Sequence, residues 1–496
     1  MPDVIDSYGN VKIVKTDEES LPKYVLLKPE FNDDEKLIIS DPRTLVSDFK
    51  SVMKDLETIK SSTDKEKFLR DYLQKQLEGR NVSQKNIDRL VSIVMDEVFL
   101  GYGILGELMR DDALEEIMVN GIKVPIYVFH RKHGMCVTNL QCKSIEQINS
   151  IINWLSRYAG REVNDKSPLL DAHMPDGSRA NVVVSPAAPY GPAITIRKFK
   201  KIPYNIVNLI ELGSLSAELA AFLWVAVEGF GIEPLDILIA GGAGSGKTTL
   251  LNALAMCIPN TERIVTVEDT LELNFSFIEN WVALEGSPYA TSDSSRLDLH
   301  SLLKNSLRMR PDRVMVGEVR GAEAETLLVA MDIGLNGSMG TIHANNARET
   351  TIRMMEAPMD VPIRMIPLID MIVVVNRIFD RSRGLMRRVT QVAEITGVEK
   401  DVVQMGDIYS WNMTEDKINR TEYPIMLKEK IAKTCGISKK RLNTEIYIRE
   451  KVLEYMLKKG IKENKDVITY LQRYQTNPKS VIAEIKEGIK LEQNGS

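Results

Sequence analysis

The segment LDILIAGGAGSGKTTLLNALAMC, residues 235–257, constrains the fold of this 496-residue chain more than any other stretch. Its first part, residues 235–240, is a mostly apolar run that predicts a buried strand. A glycine-rich turn follows, and leucines at helical spacing (Leu250, Leu251, Leu254) predict a helix after the turn. A strand, a glycine-rich loop and a helix in this order form a phosphate-binding framework, so we predict a nucleotide site here.

The turn matches the pattern G-x-x-x-x-G-K-[ST] at Gly241, Gly246, Lys247 and Thr248. Glycines are needed because backbone N–H groups must approach phosphate oxygens without a Cβ in the way. We expect Lys247 to place its ammonium on the β- and γ-phosphates and the Thr248 hydroxyl to bind Mg²⁺. The predicted nucleotide-binding residues form one continuous phosphate loop: Gly241, Gly242, Ala243, Gly244, Ser245, Gly246, Lys247, Thr248 and Thr249.

Composition narrows the class of protein further. A net charge of −5 argues against non-specific binding to nucleic acid, and we expect no nucleic-acid partner. No apolar run reaches the roughly 18 residues of a membrane span, and the N-terminal MPDVIDSYGN is acidic and polar, so we expect neither a span nor a signal peptide. The four cysteines form no C-x-x-C pair, which favours reduced cytoplasmic thiols over a zinc or redox site: Cys136, Cys142, Cys257 and Cys435.

The pattern of apolar residues divides the chain into five segments. We predict a largely helical N-terminal segment at residues 1–100, with a strand or two at its start, and an α+β N-domain at residues 101–200. A linker at residues 201–215 leads to a nucleotide-binding domain at residues 216–400, and a mostly helical tail follows at residues 401–496.

Strands and helices alternate through the nucleotide-binding domain. The strand-like pieces are DILIAG, RIVTVED, RVMVGEV, GSMGTIHA and MIVVVNRI, with helical patterns between them. This alternation predicts an α/β fold whose mostly parallel sheet carries helices on both faces.

Acidic residues follow two of these strands. Glu268 and Asp269 end one strand, and Glu318 ends another. In a doubly wound sheet these ends face the ligand, so we expect Glu318 to polarise water and Glu268 and Asp269 to assist at the metal. Gly317 stands immediately before Glu318, where an ordinary nucleotide-hydrolysing enzyme carries a magnesium-binding aspartate, so Thr248 and waters would hold most of the metal.

Three further residues are candidates for catalysis. His343 follows a short glycine-flanked strand, where it could sense phosphate or a strand-end acid, and a purely structural role also fits. Arg179 and Arg197 lie in the preceding domain. An arginine from another domain or subunit commonly neutralises the charge of a phosphoryl-transfer transition state, although surface salt bridges would explain both residues as well.

Four segments, in this order and spacing, resemble the hexameric ATPases of the secretion superfamily. They are GGAGSGKTT, TVEDTLEL, RMRPDRVMVGEVRGAEAE and GSMGTIHANNARETTIRM, which correspond to the Walker A motif, Asp box, atypical Walker B motif and His box of that family. The glycine before Glu318 is the family's own departure from other nucleotide-hydrolysing enzymes. The resemblance covers residues 105–400, and Arg179 and Arg197 fall where the family places its inter-subunit arginines.

Within the superfamily, the tetracysteine zinc module of bacterial type II secretion and pilus-extension ATPases is absent from the sequence. The helical N-terminal segment, the stretches EEIMVNG and VPIYVFHRKHG, and the long tail after RRVTQVAEITGVE most resemble the archaeal branch, which includes archaellum motors and type IV pilus assembly ATPases. The resemblance implies a RecA-like P-loop core preceded by a separate α+β domain and a helical segment. It also implies ATP and Mg²⁺ as cofactors and a cytoplasmic homo-hexamer on the inner face of the membrane. A polytopic membrane platform protein would be the partner, with accessory cytoplasmic regulators besides.

Two alternative functions remain at this point. A type IV secretion ATPase that translocates protein or DNA would carry the same four motifs. A nucleotide-gated structural ring that binds ATP without appreciable hydrolysis would be a different class of protein, and Glu318 argues against it.

Overall fold

A computed structural model describes residues 3–15, 20–27, 29–46, 49–59, 62–199, 203–286, 297–380 and 383–494 of the chain. They form two compact units, here called unit 1 (Met1–Lys200) and unit 2 (Lys201–Ser496). The predicted linker at residues 201–215 begins with two residues outside the described ranges, and most of the remainder is helix and turn.

Unit 1 is built on a nine-stranded sheet in the order β1-β2-β3-β6-β5-β4-β9-β8-β7. Every neighbouring pair is antiparallel except β3 and β6, which are parallel. The strands are β1 (Asp3–Tyr8), β2 (Val11–Lys15), β3 (Lys23–Leu26), β4 (Leu114–Val119), β5 (Pro125–His130), β6 (Gly134–Gln141), β7 (Leu169–His173), β8 (Arg179–Val183) and β9 (Ala193–Arg197).

The helices of unit 1 bury two separate apolar cores. They are α1 (Asp33–Ser40), α2 (Phe49–Thr58), α3 (Ser62–Leu77), α4 (Ile87–Val94), α5 (Gly106–Arg110) and α6 (Ile145–Ala159), with short helical turns at Pro42–Leu45, Gln84–Asn86, Met95–Phe99 and Gly103–Leu105. The first four helices form a small cluster of their own, whereas α6 packs its isoleucines against the sheet.

The N-terminal strands belong to the sheet of unit 1 rather than to the helical cluster. Val11 and Ile13 are buried while Lys12 between them is exposed, which is the two-residue period of a strand with one covered face. Strand β3 then pairs with β6, which follows it by more than a hundred residues. The sheet of unit 1 therefore draws on both of the first two predicted segments.

Unit 2 contains the sheet that carries the phosphate loop, in the order β12-β11-β13-β14-β10-β15-β16-β17-β18. It is parallel from β12 to β15 and antiparallel from β15 to β18. The strands are β10 (Ile237–Ala240), β11 (Ile264–Glu268), β12 (Trp281–Glu285), β13 (Arg313–Val319), β14 (Met339–Ile342), β15 (Met371–Asp380), β16 (Gly384–Glu399), β17 (Val402–Asn412) and β18 (Lys417–Arg420).

Helices cover both faces of this sheet. They are α7 (Ile206–Glu211), α8 (Ala217–Glu228), α9 (Lys247–Ala255), α10 (Leu299–Ser306), α11 (Glu323–Asp332), α12 (Ala347–Met355), α13 (Met426–Thr434), α14 (Lys439–Lys458), α15 (Asn464–Thr476) and α16 (Pro478–Asn494), with short helical turns at Gly229–Gly231 and Ile363–Leu368. Along β10, Ile237 and Ile239 face the core that contains α8, α9 and α14, and Leu238 and Ala240 face the core that contains α10 to α12. Both faces are apolar because the strand is buried on both sides.

The predicted α/β fold with its mostly parallel sheet is confirmed, and all five strand-like segments of the sequence form strands. Strand β10 lies between β14 and β15, which places the phosphate loop near the middle of the sheet, as expected of a RecA-like core. The sequence did not predict the edge strand β12. The sheet also runs on to Arg420, beyond residue 400, where we expected the nucleotide-binding domain to end.

The C-terminal helices pack against the helices that cover the sheet of unit 2. Arg449 of α14 is buried, donates to the Glu228 carboxylate of α8 at 2.5 Å, and lies over the Trp224 ring at 4.7 Å. Gln475 of α15 donates to the carbonyl of Cys257, two residues beyond α9, at 2.8 Å. Among the helices of the described part of the chain, none is both long and apolar enough to cross a membrane.

Candidate functional site

The phosphate loop and the predicted acids and histidine of unit 2 all come to one edge of the parallel sheet. Strands β10, β11, β13 and β14 are parallel, so their carboxyl ends point the same way. The phosphate loop follows β10, and His343 follows β14. Glu268 is the last residue of β11, and Glu318 is the residue before the last in β13. This edge is where open α/β sheets bind ligands.

The phosphate loop depends on glycine at two positions. Gly246 has φ +101°, a left-handed conformation that side chains disfavour, and it begins helix α9 without any side-chain cap. A Cβ on Gly241 would come within 2.2 Å of the Val375 carbonyl oxygen. The loop therefore leaves the first amides of α9 available to an anion, which the positive end of the helix dipole favours.

Lys247 folds back over the loop. Its ammonium donates to the carbonyl oxygens of Gly241, at 3.0 Å, and Gly242, at 3.1 Å. Ser245 is buried and its hydroxyl oxygen has no hydrogen-bond partner within the described structure. The rest of the loop is accessible in part or in full: Gly242, Ala243, Gly244, Gly246, Lys247, Thr248 and Thr249. This chemistry fits a phosphate group.

Glu318 lies at the tip of β13 as an ionised carboxylate. Burial favours its neutral form, but the hydrogen bond from Arg320, at 2.5 Å, and the charges of Arg320, Lys247 and His343 outweigh burial and lower its pKa below the ordinary value. His343 follows β14 and is exposed.

Glu268, at the end of β11, has the opposite character. Burial raises its pKa to about 8. The backbone N–H groups of Glu272 and Leu273 donate to its Oε1 at 2.9 and 3.0 Å and lower the pKa, but burial has the larger effect. Its Oε2 is buried and has no hydrogen-bond partner among the described residues. An orphaned carboxyl oxygen at this edge fits a position that accepts a cation or a donor group.

The side chain of Glu268 leaves no room for a side chain at Gly317. A Cβ on Gly317 would lie 2.7 Å from the Cγ of Glu268 and 3.0 Å from its Oε1. The glutamate of the neighbouring strand thus fills the space that an aspartate at position 317 would need.

Arg320 was not predicted from the sequence, yet it links two of the predicted acids. Its guanidinium contacts the Glu318 carboxylate at 2.5 Å and that of Asp269 at 3.9 Å. Asp269 is accessible in part, with 40% of its side chain exposed. The only sequence signal was a charged residue two positions after a strand-end acid.

Asn252 was also missed. From the middle of α9 it donates to the Thr248 carbonyl at 3.0 Å and accepts from the backbone N–H of Asn274 at 2.9 Å. It therefore ties the segment that follows Asp269 to the helix of the phosphate loop.

A magnesium ion would need ligands beyond the protein. Within the described ranges, no three or more His, Cys, Asp or Glu side chains form a cluster that could hold a metal ion. Thr248, Glu268 and Asp269 remain the predicted protein ligands, and nucleotide phosphates and waters normally complete such a shell.

In unit 1 the structure brings Arg179 and Arg197 together. They are directly opposite each other on the antiparallel strands β8 and β9, so their side chains share one face of the sheet. Arg197 is exposed, and Arg179 is 3.6 Å from the Asp171 carboxylate. Glu116 of β4 is directly opposite Arg197, so acidic residues lie beside both arginines.

The chain has recognisable relatives. A sequence model of the family described as "Type II/IV secretion system protein" matches residues 103–493. An uncharacterized protein of Methanocaldococcus jannaschii is 40% identical over 347 residues, which cover 68% of this chain and 46% of that protein. The chain thus spans about half the length of that relative.

For two further relatives, the match covers a larger share of the relative's own length. A second uncharacterized protein of Methanocaldococcus jannaschii is 32% identical over 388 residues, 77% of this chain and 68% of that protein. The type IV secretion system protein PtlH of Bordetella pertussis is 31% identical over 281 residues, 50% of this chain and 81% of that protein.

Proposed function

Because the family pattern spans residues 103–493, the chain belongs to the type II/IV secretion system protein family, and we propose that it is a Mg²⁺-dependent ATPase that works as a motor. The observation that carries this proposal is that the phosphate loop and Glu318 lie at the carboxyl ends of parallel strands of one sheet. In this proposal Glu318 is the general base and Lys247 is the cation that binds phosphate, and ATP hydrolysis needs both groups at one edge of the sheet.

The loop residues would bind and orient the triphosphate. The Lys247 ammonium, which donates to two loop carbonyls in this structure, would contact phosphate oxygens instead, together with the amides at the start of α9. Bound Mg²⁺ supplies charge that offsets the developing charge on the phosphate oxygens. Thr248, Glu268 and Asp269 would hold the ion.

Glu318 would orient the attacking water and accept its proton, since its lowered pKa keeps the carboxylate ionised. His343 would sense the γ-phosphate from the neighbouring strand. Arg179 and Arg197 would stabilise the transition state from an adjacent subunit, a role supported by their shared face on unit 1.

We further propose a cytoplasmic homo-hexamer, bound peripherally at the inner face of the membrane, that assembles or rotates an archaeal type IV pilus-like filament, either an archaellum or a pilus. The relatives in Methanocaldococcus jannaschii support the archaeal assignment. A polytopic membrane platform protein would receive the force, with accessory cytoplasmic regulators, and no nucleic acid takes part.

A type IV secretion ATPase that translocates protein or DNA is the second candidate. The similarity to a type IV secretion system protein of Bordetella pertussis supports it. Stimulation of ATP turnover by single-stranded DNA would favour this function over filament assembly.

The test is ATP turnover together with mass in solution, for the wild type and Glu318→Gln, with and without ATP. We expect a six-fold assembly whose hydrolysis collapses in the variant while nucleotide binding survives. Glu325→Gln, a change at an exposed glutamate of α11, is the matched control and should keep full turnover. Turnover that survives in Glu318→Gln would refute the role of Glu318, and ATP binding without turnover in the wild type would favour the nucleotide-gated ring.

A further inference from the structure

The hairpin of β15 and β16 lies along the phosphate loop. The Nε of Arg387 donates to the Gly244 carbonyl at 2.9 Å, and its Cδ lies 3.5 Å from the position of a Cβ on Gly246. The Nη1 of Arg377 lies 3.2 Å from the position of a Cβ on Gly244. Two arginines from adjacent strands therefore border the outer side of the loop.

The pairing of the two strands identifies which residues share that face. Arg377 is directly opposite Arg387, and Phe379 is directly opposite Leu385. Opposed residues in an antiparallel pair lie on the same face, and so do residues two apart on one strand. Phe379 and Leu385 thus continue the face that contacts the loop, one pair further along the hairpin.

Phe379 is one of the most exposed aromatic side chains of unit 2, at 73%. Leu385, opposite it, is half-buried. Isolated exposed apolar residues need no explanation. Phe379, however, lies on the same face as Arg377 and Arg387, the arginine pair beside the phosphate loop. An aromatic ring next to a cationic pair matches the chemistry of a nucleotide, whose flat base is apolar and whose phosphates are anionic.

We propose that Phe379 and Leu385 form the base-binding surface for the nucleotide whose phosphates lie on residues 241–249, with Arg377 beside the sugar and phosphates. This inference rests on the proposed ATPase function and adds the part of the ligand that the phosphate loop does not contact. Stacking on Phe379 uses the face of the base, so it strengthens binding of the nucleoside part alone.

The test compares two ligands that share the triphosphate but not the base. Calorimetry would measure the affinities for ATP and for inorganic tripolyphosphate in the wild type and in Phe379→Ala, Phe379→Trp and Lys247→Ala. Phe379→Ala should weaken ATP about 5- to 100-fold and leave tripolyphosphate unchanged. Phe379→Trp should bind ATP as the wild type does, and Lys247→Ala should weaken both ligands.

Tyr447→Ala is the matched control, because Tyr447 is an aromatic residue of unit 2 that is 58% exposed on α14. It should leave both affinities unchanged. Unchanged ATP affinity in Phe379→Ala would overturn the inference, as would an equal loss for both ligands, since that would indicate a disturbed loop. Mass in solution separates a further outcome: a smaller assembly with unchanged ATP affinity would make this face a subunit contact. A wild type that binds neither ligand would instead refute the ATPase proposal itself.

Discussion

Replacing Gly317 by alanine should destabilise unit 2 because Glu268 occupies the space that the new methyl group needs. The added Cβ would lie 2.7 Å from the Cγ of Glu268, closer than Cβ atoms approach other atoms in folded proteins. Glu268 must then move, and its Oε1 would leave the backbone N–H groups of Glu272 and Leu273.

The size of the effect follows from these contacts. Overpacking a well-filled site costs about 1–3 kcal/mol of the free energy of unfolding. In Glu268→Ala, two backbone N–H groups lose their acceptor. Each lost hydrogen bond should lower the free energy of unfolding by about 1 kcal/mol. In the double variant the clash is absent, so Gly317→Ala should add little to Glu268→Ala. The coupling free energy should therefore be about 1–3 kcal/mol.

Urea unfolding followed by tryptophan fluorescence would measure the four states of this cycle. Trp281 is a suitable reporter, since its Nε1 donates to the Thr266 hydroxyl at 3.1 Å. Thr266 lies on β11, the strand that ends in Glu268. Gly242→Ala is the control, because a Cβ there meets no atom within 4 Å and should cost nothing. If Gly317→Ala destabilises wild type and Glu268→Ala backgrounds equally, the two residues do not compete for space and the reasoning fails.

Three further changes test other parts of unit 2. Arg320→Ala should raise the pKa of Glu318, because the hydrogen bond and charge of Arg320 lower it; the acidic limb of the pH profile of ATP turnover should move to higher pH, and Arg320→Lys should move it less. Burial lowers the pKa of Lys428 to about 8 from 10.5, so the unfolded chain binds this proton more tightly and stability should rise with pH between those values. Lys428→Met should raise the urea midpoint at pH 7 and flatten that rise, whereas an unchanged profile would contradict it. Arg449→Met should cost about 3–5 kcal/mol in unfolding experiments by stranding the buried Glu228 carboxylate, and adding Glu228→Gln should restore most of the loss.

The sequence predicted the strands that carry the site because each ends in a feature with its own chemical signature. Glycines and Lys247 mark the end of one strand, and Glu268, Glu318 and His343 mark three others. Parallel strands bring such ends to one edge, so their convergence followed from the alternation of strands and helices alone.

The features that were missed depend on contacts between distant parts of the chain. Arg320 is an ordinary surface arginine in the sequence, and only the fold places it between Glu318 and Asp269. Burial in the folded sheet raises the pKa of Glu268, whereas the adjacent Arg320, with the more distant Lys247 and His343, lowers the pKa of Glu318 despite its burial. Burial and the distant charges are properties of the fold, which no local pattern encodes. The antiparallel strands β16 to β18 alternate weakly in polarity, so their membership of the sheet is a tertiary effect.

The packing of α14 and α15 decides how the chain can be shortened. The helices that we predicted as a C-terminal tail contact the rest of unit 2: Arg449 lies over the rings of Trp224, Phe230 and Tyr474. Gln475 donates to the chain just beyond α9. A chain that stops at residue 420 would keep all the strands described here and lose helices α13 to α16. The apolar core that these helices share with α9 would then be exposed. This exposed apolar surface would make the shortened chain prone to aggregate. The smallest stably folded form of unit 2 therefore extends into the last helices, and a tag or fluorophore should be added after Asn494 without removing them.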